Sequence, residues 1–152
     1  MGIKRAKVCV ISSPGGHLTE ALAATDLIQR HCTYISSDDE VAHLRLQRRR
    51  AHFLINFHRN PLLFVVNAVQ AAWLVVRLRP RVVITTGAGM VVPFALLARL
   101  LGARLVFIET AACIDRPSHT GRILGRFASR VFVQWDELLA FYPGAINGGP
   151  LF

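Results

Sequence analysis

The sequence predicts an α/β fold in which helices flank a mostly parallel β-sheet. Short apolar runs that are rich in β-branched residues alternate along the chain with longer segments of helical periodicity, and this order is typical of β-α-β units. The chain has 152 residues, of which 53% are hydrophobic, so it is too apolar for a disordered protein and long enough to bury one core. We therefore expect residues 1–152 to form a single domain.

The elements follow from local residue patterns. Strands are expected where β-branched residues cluster, at Lys7–Ser12, Cys32–Ser36, His52–Asn56, Arg81–Thr86, Arg104–Glu109 and Arg130–Gln134. Helices are expected between them, at Leu18–Gln29, Asp39–Arg49, Pro61–Leu78, Gly89–Leu101, Thr120–Ala128 and Asp136–Phe141. Pro61 suits a first helical turn, Asp39 suits a helix N-terminus and Gly102 suits a helix end. The stretch from Tyr142 to Pro150 is rich in turn residues.

The charge of the chain favours an anionic partner. The sequence has 18 Lys and Arg residues against 9 Asp and Glu residues, a formal net charge of +9, which suits a phosphate-bearing substrate, a lipid surface or nucleic acid. Neither a recognition helix nor an aromatic RNA-binding motif accompanies this charge, so we expect no nucleic-acid partner.

Other sequence features bear on compartment and cofactors. Cys9, Cys32 and Cys113 are widely separated in apolar surroundings, which fits buried thiols in a reducing compartment. Met1 to Lys7 leads directly into a β-like stretch and not into a hydrophobic leader, so we expect a cytoplasmic protein. No motif calls for a metal or a cofactor, and we expect neither.

The segment 61–78 is hydrophobic on nearly every side. No charged residue lies between Arg59 and Arg77, but the run is shorter than the roughly 20 apolar residues of a membrane span and includes amide side chains. Such a helix lies in the core or in another apolar medium. Flanking arginines suit the interface of an anionic membrane, with Arg59, Phe64, Trp73 and Arg77 as contacts. A core helix between solvated basic loops fits the composition equally well.

The first strand runs into a glycine-containing loop, Ser12-Ser13-Pro14-Gly15-Gly16-His17. In an open α/β sheet, ligands bind beside the carboxyl ends of the strands, where a glycine pair lets backbone amides approach a phosphate. We expect Ser13, Gly15 and Gly16 to contact phosphate, and His17 to act as a general base or as a donor to an anion. A tight turn with a surface histidine explains these residues equally well. The loop has neither a dinucleotide nor a Walker pattern.

Two later strands also end in polar loops. Thr86, Gly87 and Gly89 can present amides to the same ligand, although close packing of helix on strand needs glycine as well. Glu109 ends the next predicted strand, where a carboxylate can hold a sugar hydroxyl or assist its deprotonation. Arg116 follows and can meet phosphate charge. A salt bridge between Glu109 and a nearby arginine is the alternative.

Several motifs carry a resemblance to a known family: Ser12–Glu20, Thr85–Pro93, Ile108–Thr110, Phe132–Leu138 and Tyr142–Ala145. They resemble the acceptor domain of the GT-B glycosyltransferases that extend lipid-linked precursors. The closer resemblance is to the family of asparagine-linked glycosylation protein fourteen and its bacterial PssD-like counterparts, and it covers nearly the whole chain. It implies a Rossmann-like domain equivalent to the N-terminal, MurG-like domain of a GT-B enzyme.

The resemblance also implies a shared reaction. In that family one subunit supplies acceptor binding and membrane contact, and a partner with the GT-B C-terminal domain binds the UDP-sugar. It implies transfer to a polyprenyl-diphosphate-linked acceptor in polysaccharide biosynthesis, at the cytoplasmic face of the cytoplasmic membrane. The sugar is N-acetylglucosamine or glucuronic acid. Alternatives are a non-catalytic membrane scaffold for a soluble glycosyltransferase and a self-sufficient homodimeric enzyme.

Site residues follow from the same resemblance. His17 and Glu109 match family positions and are predicted to be catalytic. The segment 142–152 is predicted to lie near the domain junction. The predicted partner interface comprises Gln134, Trp135, Tyr142 and Pro143.

Overall fold

A computed structural model describes residues 7–152. The expectation that no leader precedes the first strand concerns Met1 to Lys7, and all of this segment except Lys7 lies outside the described residues. Within the described residues, strands form one seven-stranded sheet in the order β3-β2-β1-β4-β5-β6-β7, and every neighbouring pair is parallel. The strands are β1 (Val8–Ile11), β2 (Cys32–Ser37), β3 (Ala51–Leu54), β4 (Val82–Thr85), β5 (Arg104–Ile108), β6 (Arg130–Val133) and β7 (Ile146–Asn147).

The α-helices connect these strands. They are α1 (Gly16–Ala24), α2 (Glu40–Leu46), α3 (Pro61–Leu78), α4 (Val92–Leu100) and α5 (His119–Leu124). Three 3₁₀ turns lie at Asp26–His31, Gly89–Val91 and Asp136–Ala140. The predicted helix Leu18–Gln29 is therefore divided, because the buried Thr25 hydroxyl donates to the Ala21 carbonyl oxygen at 2.7 Å and α1 ends there. The predicted helix Asp136–Phe141 is wrong in type, since that segment is a 3₁₀ turn.

The caps explain why α3 has the predicted bounds. Asn60 Oδ1 accepts hydrogen bonds from the backbone N–H groups of Leu62 and Leu63 at 2.9 and 3.3 Å, and Pro61 occupies the first turn, where its missing N–H is not needed. The helix ends at Arg79, whose left-handed φ of 46° turns the chain away from the helix axis.

Helices flank both faces of the sheet, so the predicted α/β architecture is confirmed. One face packs against α3, α4 and α5 through a large cluster that includes Ile11, Val83, Leu105, Phe107, Leu74, Phe94 and Leu124. On the other face, β1 to β3 pack against α1 and α2 through Val10, Tyr34, Leu18, Ala42 and Leu46. Cys9 and Cys32 are buried thiols, as predicted, and burial raises the pKa of Cys9 to about 12.

The strand order determines where a ligand can bind. From β1 the chain builds the sheet outwards to β2 and β3, and it then returns to place β4 on the other side of β1. The carboxyl ends of β1 and β4 therefore meet at the topological switch point, where open α/β sheets usually form the crevice that binds a ligand. The turn-rich C-terminal segment adds β7, which sequence patterns missed because it pairs with β6 through two residues, Ile146 and Asn147.

Candidate functional site

The loops after β1 and β4 meet at the switch point. The buried Thr86 hydroxyl donates to the backbone oxygen of His17 at 2.8 Å. Gly87 has a φ of 103°, and a Cβ there would lie 3.7 Å from Cε1 of His17. The structure thus brings together two loops that are separated by about 70 residues in the sequence, and it places the His17 ring between them.

Each loop leads into a helical start that no side chain caps. Gly15, with a φ of 82°, precedes α1 and leaves its first turn without a side-chain cap. Ala88, with a φ of 87°, does the same before the Gly89–Val91 turn that leads into α4. Uncapped N–H groups and the helix dipole favour an anion. Gly15 and Gly16 are exposed, and nothing lies within 4 Å of a Cβ built at either position, so a ligand can approach this backbone closely.

The two ring nitrogens of His17 differ in burial. Its side chain is 29% exposed, and Nδ1 is buried without a hydrogen-bond partner among the described residues. The nearest acidic atom is Oε2 of Glu20, 3.8 Å from Nδ1. Nε2 is therefore the nitrogen available to a ligand. Sequence reasoning included Glu20 in the loop motif but gave it no role, although a separation of three residues places both side chains on one helix face.

The Glu20 carboxylate is buried and anchored. Its Oε1 accepts hydrogen bonds from the Thr110 hydroxyl at 3.1 Å, the Ala111 N–H at 2.8 Å and Nε2 of Gln134 at 3.4 Å. Oε2, the oxygen that faces His17, has no partner among the described residues. One oxygen is thus held firmly and the other is left for the histidine.

The Glu109 carboxylate is fully buried, and both of its oxygens have donors. Oε1 accepts from the Thr110 N–H at 3.1 Å, and Oε2 accepts from the Ser118 N–H at 3.1 Å and from the Tyr142 hydroxyl. The alternative of a salt bridge to an arginine is wrong within residues 7–152, where Glu109 forms no ion pair. The catalytic role stays a prediction, and these contacts favour a structural role.

The environment of Tyr142, including Glu109, raises the pKa of its phenol. Burial raises the pKa of the Tyr142 phenol well above its usual range, and the hydrogen bond to the Glu109 carboxylate raises it further. The phenol therefore remains a donor at any physiological pH, which keeps the C-terminal segment attached to β5 and α5.

Two of the residues predicted for the partner interface lie inside the domain. Gln134 is 3% exposed and donates to the Glu109 backbone oxygen at 3.0 Å, and Tyr142 is 6% exposed. Trp135 is half-buried and donates through Nε1 to the Ala111 oxygen at 2.9 Å. Pro143 is exposed. The interface role stays a prediction. Of the four residues, Trp135 and Pro143 are the ones accessible enough to contact a partner directly.

The remaining predicted phosphate ligands differ in position. Ser13 is half-buried in the first loop, where its hydroxyl lies 3.5 Å from the Pro14 carbonyl oxygen. Arg116 is exposed and pairs with the adjacent Asp115 at 3.3 Å. Neither is hydrogen-bonded to another predicted site residue within the described part of the chain. Residues 7–152 contain no group of three His, Cys, Asp or Glu side chains suited to a metal.

Helix α3 lies on the surface of the domain. Its exposed outer face consists of Leu62, Val65, Val66, Val69, Trp73 and Val76. Only 22% of the helix is buried, so α3 is not a fully buried core helix, although its inner side packs in the core. By length and composition alone the helix would suffice to cross a membrane, whereas the sequence pattern predicts a run too short for a span. The guanidinium of Arg77 lies 5.0 Å from the centre of the Trp73 ring.

The amide side chains of α3 do not interrupt its outer face. Nδ2 of Asn67 donates to the Ile55 carbonyl oxygen at 2.8 Å, and Oε1 of Gln70 accepts from the Ile55 N–H at 2.9 Å. Both amides thus complete the hydrogen bonding of the backbone that follows β3. The outer face is left entirely apolar.

Comparison with known families identifies the chain. Residues 39–151 match the family described as "Oligosaccharide biosynthesis protein Alg14 like". The chain belongs to this Alg14-like family. The family resemblance predicted from the loop and C-terminal motifs is therefore confirmed.

Individual Alg14-like and transferase relatives agree with this assignment. The chain is 25% identical over 177 residues to "UDP-N-acetylglucosamine transferase subunit ALG14" of Mus musculus, which covers 94% of this chain and 82% of the mouse protein. It is 31% identical over 150 residues to the "UDP-N-acetylglucosamine--N-acetylmuramyl-(pentapeptide) pyrophosphoryl-undecaprenol N-acetylglucosamine transferase" of Xanthomonas euvesicatoria pv. vesicatoria (strain 85-10). That match covers 88% of this chain and 32% of the Xanthomonas enzyme.

Solved structures share the fold of this Alg14-like chain. MurG of Acinetobacter baumannii superposes with a TM-score of 0.71 at 21% identity, over 94% of this chain and 43% of MurG. UDP-N-acetylglucosamine 2-epimerase from Rickettsia bellii gives a TM-score of 0.70 at 11% identity, over 97% of this chain and 43% of the epimerase. The chain thus spans less than half of either protein. The predicted Rossmann-like, GT-B type of fold is confirmed.

Proposed function

We propose that the chain is the acceptor-binding, membrane-side subunit of a UDP-sugar-dependent glycosyltransferase that extends a polyprenyl-diphosphate-linked glycan. The observation that carries this proposal is the meeting of two glycine loops at His17, where the Thr86 hydroxyl donates to the histidine backbone oxygen and Gly87 lies beside the histidine ring. The names of the Alg14 subunit and of the pyrophosphoryl-undecaprenol transferase supply the class of reaction.

The crevice suits a diphosphate. Two uncapped helical starts open on the same edge of the sheet, and backbone N–H groups at such positions bind phosphate oxygens. In the proposal, Ser13, Gly15 and Gly16 hold the acceptor diphosphate from one side. The exposed Gly89 holds it from the other, and Arg116 approaches from the exposed loop. Thr86 and Gly87 are buried and already hydrogen-bonded, so they support this loop from within.

His17 acts as the general base in the proposed transfer. Nε2 takes the proton of the acceptor hydroxyl while that oxygen forms a bond to the anomeric carbon of the donor sugar. The bond from the anomeric carbon to the β-phosphate oxygen breaks, and UDP leaves with the electron pair. The anomeric configuration inverts.

The donor is bound by a partner subunit in this proposal. The mouse relative is named a subunit, and on that ground the proposal assigns donor binding to another chain. The relatives' names favour N-acetylglucosamine over glucuronic acid as the transferred sugar. The segment 142–152, with Trp135 and Pro143, is the proposed contact with the partner, and buried Gln134 and Tyr142 support it from within.

The outer face of α3 is the proposed membrane contact. Its apolar side chains are exposed although the opposite side of the helix is buried in the core. Arg59 and Arg77 lie at its two ends, and basic residues at the ends of an apolar surface helix favour an anionic lipid interface. The helix would lie in the headgroup region at the cytoplasmic face, with Trp73 inserted. Phe64, also predicted as a membrane contact, is half-exposed but lies on the other side of the helix, where its ring packs edge-on against Phe57.

The substitution His17→Ala tests the catalytic proposal. The chain is reconstituted with its donor-binding partner and assayed with UDP-N-acetylglucosamine and a polyprenyl-diphosphate-linked acceptor. We expect kcat to fall about 10²- to 10⁴-fold, the usual contribution of a general base, while size-exclusion chromatography shows unchanged assembly. His31→Ala is the matched control, because His31 is exposed in the turn after α1. Full turnover by the assembled His17→Ala pair would favour the scaffold alternative.

A further inference from the structure

The geometry points to Glu20 as a positioning residue that holds His17 in the tautomer required of a general base. The inference rests on the proposed role of His17 and extends it to a second residue. In the required tautomer Nδ1 carries the proton and Nε2 has the free electron pair, because Nδ1 is buried and Nε2 is the ring nitrogen left accessible to a ligand.

Two buried atoms without partners face each other between these residues. Nδ1 of His17 and Oε2 of Glu20 are 3.8 Å apart, and neither has a hydrogen-bond partner within the described residues. Leaving a buried polar atom unpaired costs about 1–3 kcal/mol. A side-chain rotation that shortens the distance by about 0.8 Å forms a hydrogen bond, and catalytic hydrogen bonds often tighten in this way when substrate binds.

The surroundings hold Glu20 in place for this contact. Thr110, Ala111 and Gln134 all donate to Oε1. With three donors on one oxygen and none on the other, the carboxylate is fixed at one end and can accept the His17 Nδ1–H at the other.

Neither Glu109 nor Thr86 is placed to accept a hydrogen bond from Nδ1 of His17. Both oxygens of Glu109 already accept hydrogen bonds, from Thr110, Ser118 and Tyr142. Thr86 contacts the backbone oxygen of His17 and not its ring. Within residues 7–152, Glu20 is thus the acidic residue that pairs with His17.

The proposed contact with Glu20 determines which ring nitrogen of His17 carries the proton. A carboxylate on Nδ1 accepts its hydrogen and disfavours the opposite tautomer, so that Nε2 is free to take the acceptor proton. The carboxylate also stabilises the imidazolium formed after proton transfer. Glu20 does not touch the substrate and takes no proton itself.

The substitution Glu20→Gln tests this inference. The amide oxygen can keep all three donors on Oε1, but the amide NH₂ then faces Nδ1 and favours a proton on Nε2. In the chain assembled with its partner, ¹⁵N-histidine NMR of the neutral ring, assigned with His17→Ala, should show the Nδ1–H tautomer in the wild type and the Nε2–H tautomer in Glu20→Gln. We expect kcat to fall about 10²- to 10⁴-fold with KM within about twofold. Glu40→Gln, an exposed residue of α2, is the matched control and should change neither.

The outcomes separate this inference from the proposed function. If His17→Ala abolishes turnover but Glu20→Gln keeps both kcat and tautomer, Glu20 has no positioning role and His17 remains the base. If His17→Ala keeps full turnover, the proposed function itself fails. If Glu20→Gln does not assemble, the tautomer in Glu20→Asp decides, because the retained charge should preserve Nδ1–H and its loss would overturn the inference.

Discussion

Two buried carboxylates at the same edge of the sheet differ in what surrounds them. Glu20 has three donors on one oxygen and an unpaired oxygen facing His17. Glu109 has donors on both oxygens and faces the C-terminal segment. Gln134 contacts both residues, since it donates to Glu20 Oε1 and to the Glu109 backbone oxygen. The unpaired oxygen beside His17 is the basis of the positioning role proposed for Glu20, whereas the fully paired Glu109 carboxylate favours a structural role.

The comparison predicts opposite results for the two amide substitutions. Glu109→Gln places an NH₂ group against donors that now point at a carboxylate, so we expect the free energy of unfolding to fall by about 2–3 kcal/mol. Urea denaturation measures this loss, and kcat of the folded pair should stay within about twofold at a temperature below unfolding. Glu137→Gln, exposed in the last 3₁₀ turn, is the control. A large loss of kcat with unchanged stability would restore a catalytic role for Glu109.

The substitution Tyr142→Phe tests whether the contacts of Glu109 stabilise the folded protein. The variant loses the hydrogen bond to the carboxylate, and we expect about 1.5 kcal/mol less stability near pH 8. Because the folded protein raises the pKa of Tyr142, wild-type stability is full below the unfolded pKa of about 10 and falls as pH rises beyond it. The variant lacks this titration.

The difference between wild type and Tyr142→Phe should therefore narrow above about pH 10, by about 1.4 kcal/mol per pH unit. Cys9 and Tyr34, whose pKa values burial also raises, titrate in both chains and cancel. Urea denaturation at a series of pH values measures the difference. A constant difference up to pH 11.5 would contradict the assigned contact.

The smallest expected effect concerns membrane binding, in which neither Glu20 nor Glu109 is expected to take part. Val69→Glu places a charge on the outer face of α3, and we expect about tenfold weaker binding to phosphatidylglycerol vesicles, measured by co-sedimentation. Val41→Glu, exposed in the first turn of α2, should bind as the wild type does. Glu20→Gln and Glu109→Gln should also bind normally. Equal binding by Val69→Glu and Val41→Glu would show that α3 is not the contact.

Sequence patterns predicted the sheet and the α3 helix because these depend on local signals. Pro61 and the β-branched runs act within a few residues of their own positions. The meeting of Thr86 with His17 was also foreseeable, since parallel strands end at one edge of a sheet. The family match covers residues 39–151, which include the loop after β4 and the C-terminal motifs.

The distinction between Glu20 and Glu109 was not accessible from sequence. It depends on Thr110, Gln134 and Tyr142, which lie far along the chain from Glu20. Glu109 was chosen because it ends a strand and matches a family position, and the family resemblance assigned Tyr142 to the partner interface. Only the packed structure shows how many donors reach each carboxylate.

The central claim is that this chain supplies the catalytic base and a partner supplies the donor site. The most direct test is turnover by the chain and its donor-binding partner, purified separately and then mixed, with UDP-N-acetylglucosamine and an undecaprenyl-diphosphate-linked acceptor. We predict no transfer by either protein alone, transfer by the mixture, and loss of about 10²-fold or more when the chain carries His17→Ala. Transfer by the chain alone, or full turnover by an assembled His17→Ala pair, would contradict the claim.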